Sequence, residues 1–283
     1  MNPSRARKPY SRHATITISS THLHQFFIVV LRRTYSLEYY QPDVIFAIRT
    51  SLSKQCATDP LSTWLLKECT RRRRGSITQI FNLLLIEGHF PVPWKHAIVM
   101  PLLKKAGMDD SNVSSYRPVS NILHLSKILE RIVHRQLIDH LEEFKLLPDI
   151  QSTYRNGHST ETAVLMVYSD PIDAISTGKL ALLSLLYLMA AFDTVDHAIL
   201  LRRLETTFGF CGTTLKWQLS YLEGRTQSVH LNGRSTDPRR VVVGVPQGSV
   251  LGPLLLMLYT ADIGKVISKY DLSHHIYADD NQL

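Results

Sequence analysis

Gly244-Val245-Pro246-Gln247-Gly248-Ser249-Val250-Leu251-Gly252-Pro253 and, after one apolar stretch, Tyr277-Ala278-Asp279-Asp280 are the two strings on which the fold of this chain turns. The second closes the run 272–278, which reads as a strand, so its paired carboxylates stand at a strand tip. Carboxylate oxygens are what a hard divalent cation binds, and such a tip offers two carboxylates together. Taken alone, the string also reads as a polar turn. The upstream string shifts that balance, because Pro246-Gln247-Gly248 lies between a hairpin and a helix, where glycine lets the backbone come close to a ligand.

Working outward, 249–270 reads as mainly helical, and 226–231 with 239–243 as strands with Asn232-Gly233, a strong hairpin turn, between them. Residues 180–187 are apolar on both faces, the pattern of a strand buried inside a sheet. Asp193-Thr194-Val195-Asp196 opens a helix to about 208, with Asp193 as its cap and Asp196 adding charge to its first turn. A metal cluster of Asp193, Asp196 and His197 is the weaker reading. Another helix spans about 213–222. Upstream, 96–103 reads as a buried strand ending at Lys104 and Lys105, and 125–144 as an amphipathic helix with Ile128, Leu129, Ile132, Val133, Leu137, Ile138 and Leu141 on one face. Ser159 caps a helix that stops near Gly178 and contains Pro171, which calls for a kink. Two shorter helical pieces, 61–69 and 77–86, flank the run Arg71-Arg72-Arg73-Arg74. Strands and helices mix without a βαβ rhythm, so the expected class is α+β.

The 283 residues are 44% hydrophobic, enough to bury a core. The longest apolar run, 180–192, is shorter than the roughly 20 residues a membrane helix needs, so no membrane association is expected. Of the net charge of +8, six units fall in residues 1–36, which hold no acid. That leader reads as a nucleic-acid arm, a targeting segment or a tail without a role. Cys56, Cys69 and Cys211 have no zinc-like spacing and form no disulfide framework, which suits a reducing intracellular compartment, nucleus or cytoplasm sooner than an organelle.

Seven ordered blocks carry a resemblance: Phe90-Pro91 with Trp94-Lys95, 101–105, Tyr116-Arg117-Pro118-Val119-Ser120-Asn121, 151–160, 190–197, 244–254 and 277–280. From residue 43 onward the chain resembles the reverse transcriptase of a LINE-type non-LTR retrotransposon. The resemblance implies a right-hand polymerase, with fingers over 37–179 and a partial palm over 180–283. It also implies RNA-templated DNA synthesis on a DNA primer from deoxynucleoside triphosphates, with Mg2+ as cofactor. Asp279 and Asp280 would be catalytic and hold the metal. Lys104, Lys105, Arg117 and Arg155 would face the incoming nucleotide, where cations suit a triphosphate. Phe192 would close the space under the sugar, and Gln247 with Gly248 would touch the template and nascent pair.

Two departures set the functional expectation. Five positions before Phe192 the family carries an aspartate that bridges the two metals, and here that position is Tyr187. A phenol with an ordinary pKa of about 10 is neutral near pH 7 and cannot bridge two cations as a carboxylate does. The chain also stops at Leu283, so a return strand after the metal tip, and a thumb, are expected to be absent, leaving an unpaired edge. No endonuclease-like segment precedes the fingers, and Thr153 stands where the family has glycine. The expectation is an impaired or inactive domain of retrotransposon origin. The alternatives are a non-catalytic nucleic-acid-binding remnant and a reading frame without a stable product.

Overall fold

Apolar residues spaced for one face of a helix, and short β-rich runs broken by Gly, Pro and Asn, give this chain a mixed α and β architecture. The computed structural model describes residues 41–51, 59–60, 62–72, 74–147, 151–152, 157–270, 272, 274–277 and 280–282. The leader 1–36, Cys56, Thr153, Arg155 and Asp279 lie outside the described residues. In chain order the elements are α1 (Gln41–Arg49), α2 (Thr63–Arg72), α3 (Arg74–Ile86), β1 (His96–Leu103), β2 (Tyr116–Asn121), α4 (His124–Glu143), α5 (Thr160–Ser176), β3 (Leu185–Tyr187) and α6 (His197–Thr206). Then follow α7 (Gly212–Leu222), β4 (Arg225–Leu231), β5 (Arg234–Ser235), β6 (Arg239–Val241), α8 (Gly252–Thr260), α9 (Asp262–Ile267), β7 (His275–Tyr277) and β8 (Asp280–Gln282).

The larger sheet runs β2-β1-β4-β5, with β6 also on β4. β1 is antiparallel to β2 and parallel to β4, so residues 96–121 and 225–241 share one sheet. Pro101 and Pro118 face each other in the register, and both are tolerated for a clear reason. The β4 ladder ends at Val99, and β2 is an edge strand, so neither proline removes a needed donor. Asn232 and Gly233, both at positive φ, turn β4 into β5 as their chemistry predicts.

α8 is apolar almost all round, and Leu254, Leu255, Leu256, Met257 and Leu258 are buried, so it is a core helix. The apolar face of α4 packs in the same core, along with Leu200, Leu204, Trp217 and Tyr221. Phe90 makes edge contacts with Trp94, Trp217 and Tyr221 at 5.1–6.1 Å between ring centres. The block that begins at Phe90 is thus a packing anchor. α5 is capped by Ser159 as expected, in a capping box completed by Thr162, and continues through Pro171 as one helix.

Three expectations are corrected. Only Leu185–Tyr187 of the 180–187 run is strand, and Leu180, Leu182 and Leu185 are exposed. Among the described residues β3 is an edge paired to β8 alone, and a continuous apolar run does not by itself supply the layers that would bury it. Asp193 does not cap α6. Asp196 does, its Oδ1 accepting the Ile199 N–H at 2.8 Å, because Ala191–Asp193 is a separate 3₁₀ turn. Finally, the strand that ends at Tyr277 does have a return strand: β8 pairs with β7 on one side and β3 on the other. No described helix is long and apolar enough to cross a membrane.

Candidate functional site

β7 and β8 pair antiparallel on either side of positions 278 and 279, which lie outside the described residues. Their register sets Tyr277 opposite Asp280, and the register of β3 sets Tyr187 opposite the same Asp280. Positions 187, 280 and 277 therefore form one rung across a three-stranded sheet with Asp280 in the middle. The β7 side of the sheet is anchored: Ser152 N–H donates to the Ile276 carbonyl at 3.1 Å, and the Tyr277 and Thr160 hydroxyls share a 2.7 Å hydrogen bond. Neighbouring His275 is buried, and desolvation, helped by His158 and His274, pushes its pKa down.

From Tyr187 the chain reaches the 3₁₀ turn that carries Phe192 through Ala190, which sits in the left-handed region at φ 53°. This turn is fastened to the glycine string. Val245 N–H donates to the Phe192 carbonyl at 2.7 Å, and Gly244 N–H to the Val195 carbonyl at 2.7 Å. His197 Nε2 lies 2.7 Å from the Gly244 carbonyl oxygen. Gly244 has to be glycine here: its φ is +87°, and a Cβ would stand 2.8 Å from the Phe192 carbonyl oxygen. Half-buried Phe192 packs on the core, with its Cε1 3.6 Å from where a Gly252 Cβ would lie.

The same string is fastened to β2 three residues later. Ser120 N–H donates to the Gln247 carbonyl at 2.7 Å, and Gly248, at φ +111°, leaves no room for a Cβ, which would fall 2.8 Å from the Ser120 carbonyl oxygen. Arg117 is exposed on that strand, opposite Leu102 in the β1–β2 register. At about 3.3 Å per residue, its three-residue separation from Ser120 places it roughly 10 Å along the strand from the Gln247 loop. Lys104 and Lys105, also exposed, follow the end of β1 next to Arg117, and Lys104 Nζ donates to the Ser114 carbonyl at 2.9 Å. The structure thus joins Phe192, Gln247 and Gly248 through backbone clasps, and lines up three exposed cations at one end of the strand that holds them.

The sequence reading missed Glu130. It is wholly buried, and its carboxylate accepts from Val250 N–H at 2.7 Å, Leu251 N–H at 3.3 Å and Ser126 Oγ at 2.9 Å. A signal existed, since Glu130 falls on the apolar stripe of α4 with Ser126, Val133 and Leu137, at helical spacing. Among the described residues no group of three or more His, Cys, Asp or Glu is placed to hold a metal ion.

Residues 103–283 match the family model described as reverse transcriptase (RNA-dependent DNA polymerase). The chain is 34% identical over 224 residues to the probable RNA-directed DNA polymerase from transposon BS of Drosophila melanogaster, covering 78% of this chain and 24% of that protein. It is 32% identical over 206 residues to the RNA-directed DNA polymerase from mobile element jockey of the same species, covering 71% and 22%. The chain thus spans about a quarter of the length of these curated relatives. Among solved structures, a partial Cas6-RT-Cas1–Cas2 complex aligns over 85% of this chain and 36% of that chain, at 18% identity and a TM-score of 0.43.

Proposed function

We propose, for this chain, which belongs to the reverse transcriptase family of non-LTR retrotransposons, that it retains the template- and nucleotide-facing surface of an RNA-directed DNA polymerase while its catalytic centre is impaired. The observation that carries this reading is the rung that sets Tyr187 opposite Asp280. Polymer extension by this family's chemistry uses two divalent metals held between carboxylates, one activating the attacking hydroxyl and one gripping the triphosphate. Asp279 and Asp280 would hold Mg2+. The neighbouring position on the rung carries tyrosine in place of a carboxylate, and a phenol is an ordinarily neutral donor near pH 7, which does not suit a bridge between two cations.

The remaining parts suit binding. Lys104, Lys105, Arg117 and Arg155 would meet the triphosphate, Phe192 would lie under the sugar, and Gln247 with Gly248 would meet the template and nascent pair. Their partners would be an RNA template, a DNA primer and deoxynucleoside triphosphates. In this reading 37–179 is fingers-like and 180–283 a partial palm, with β4–β6 returning to the sheet of the fingers. The clasps at Gly244 and Gly248 support it, since they hold the sugar-facing and template-facing positions in one rigid unit before any ligand arrives.

Primer extension on an RNA template with magnesium tests the reading. Synthesis by the purified chain is expected at background and indifferent to Asp279→Ala. Robust magnesium-dependent synthesis abolished by Asp279→Ala would overturn the impairment. Independently of turnover, Tyr187→Asp is expected to tighten Mn2+ binding, read by paramagnetic relaxation, by at least about tenfold, because a lost ligand costs more than a lost outer partner.

A further inference from the structure

A fully buried carboxylate is held for a reason, because its desolvation costs several kcal/mol unless charge and hydrogen bonds repay it. Glu130 is such a group. It sits in the middle of α4, yet its hydrogen bonds reach 120 residues along the chain to the backbone of Val250 and Leu251. These two N–H groups follow directly on Gln247, Gly248 and Ser249 and precede the first residue of α8, so they are donors that the helix itself leaves unpaired. Ser249 Oγ takes the next one, the Gly252 N–H, at 2.9 Å. The buried guanidinium of Arg225, held by its hydrogen bond to the Tyr221 carbonyl at 2.9 Å, acts on Glu130 through its charge.

The Gln247–Gly248 loop is therefore fixed at two points. Ser120 of β2 holds it from the side of the exposed cations, and Glu130 holds it from beneath. We propose that Glu130 is a positioning residue, whose carboxylate sets the height of the Gln247–Gly248 loop against β2 and so its fit to the terminal base pair of a primer–template duplex. This rests on the reading of that loop as the part that meets template and nascent pair. In this role Glu130 acts on the loop through two backbone N–H groups, those of Val250 and Leu251.

The test compares the full-length chain with Glu130→Gln and Gln247→Ala. Three quantities are measured: affinity for a labelled DNA primer on an RNA template, affinity for the same RNA as a single strand, and amide hydrogen exchange across 247–252. Glu130→Gln preserves size and removes charge. It is expected to speed exchange at 250 and 251 and to weaken duplex binding about tenfold, the size of one charge-assisted hydrogen bond, with single-strand binding unchanged. General loss of structure would lower both affinities together. Faster exchange with an unchanged duplex-to-single-strand ratio overturns the proposal, while Gln247→Ala still lowering that ratio leaves the loop reading intact. A parent chain that binds both nucleic acids alike, or a Gln247→Ala chain that binds as the parent does, overturns the loop reading and the proposal with it. Should Glu130→Gln fail to fold, Ser126→Ala, which deletes only the hydroxyl donor to Oε1, is expected to shift the same ratio in the same direction, and an unchanged ratio overturns the proposal.

Discussion

Gly248 is where one missing atom holds two distant segments together. Its φ of +111° and the Ser120 carbonyl oxygen 2.8 Å from any Cβ leave alanine no place, and the obstacle is backbone that cannot swing aside. Gly248→Ala is expected to destabilise the fold by about 1–3 kcal/mol in urea denaturation, with a rise in 119–121 amide exchange. Ala190 presents the opposite case, a side chain carried into the left-handed region at φ 53°. Ala190→Gly is expected to stabilise by up to about 1 kcal/mol, measured in the same way. Glu130 gives a pH signature. Burial pushes its pKa above the ordinary 4.5, partly offset by Arg225 and by its hydrogen bonds from Ser126, Val250 and Leu251, with the Tyr221 phenol also beside it. A carboxyl whose folded pKa is raised contributes stability below its unfolded pKa and loses it as pH climbs through the folded value. The Tm difference of Glu130→Gln over the parent is therefore expected to grow from pH 4.5 upward and then level off. A difference that stays flat across this window would show that Glu130 titrates as an exposed acid does.

At the scale of elements, the start of α6 separates by role two aspartates three positions apart. Asp196 Oδ1 accepts the Ile199 N–H, so Asp196→Ala is expected to cost about 1 kcal/mol, whereas Asp193→Ala, outside the cap, should change thermal stability little. Equal losses from both would refute the assignment. Such details mark the boundary of what sequence conveys. α4 and the Ser159 cap of α5 were legible because period and cap residues are local, and the Asn232-Gly233 hairpin because those residues readily accept its positive φ angles. Asp193 and Asp196 were confused because either spelling caps a helix, and only the 3₁₀ turn decides which one does. β3 was misjudged because apolarity on both faces states a preference for burial, while actual burial depends on partners elsewhere. The return strand was missed for a related reason: three residues carry too little pattern to announce a strand, and β8 exists through its neighbours on both sides. Of the site, the blocks were legible and their clasps were not, since a backbone hydrogen bond from Ser120 to Gln247 leaves no trace in side-chain chemistry.

Across the whole molecule, the core lies around α4, α7 and α8, while apolar surface collects on α5 and the residues that lead into β3. Leu165, Tyr168, Ile172 and Ile175 recur at helical spacing on α5 and are all more than half exposed. An apolar stripe in water favours association, so sedimentation velocity is expected to show concentration-dependent self-association that Leu165→Lys with Ile172→Lys reduces. A parent chain that stays monomeric over the micromolar range would set this aside. The three-stranded sheet has a further consequence that concerns the order of synthesis. Its central strand, β8, is the one made last, and among the described residues β3 pairs with β8 alone. On the ribosome, β3 emerges long before the segment it requires, so Leu182, Leu185 and Leu186 wait in solvent while α6, α7 and α8 are still being translated. The rung at Tyr187 and Asp280 can close only across that long loop, which makes this sheet a late and slow event in folding. A nascent chain halted before residue 280 thus presents an open edge and a run of leucines, the combination that chaperones bind and that aggregates when they do not.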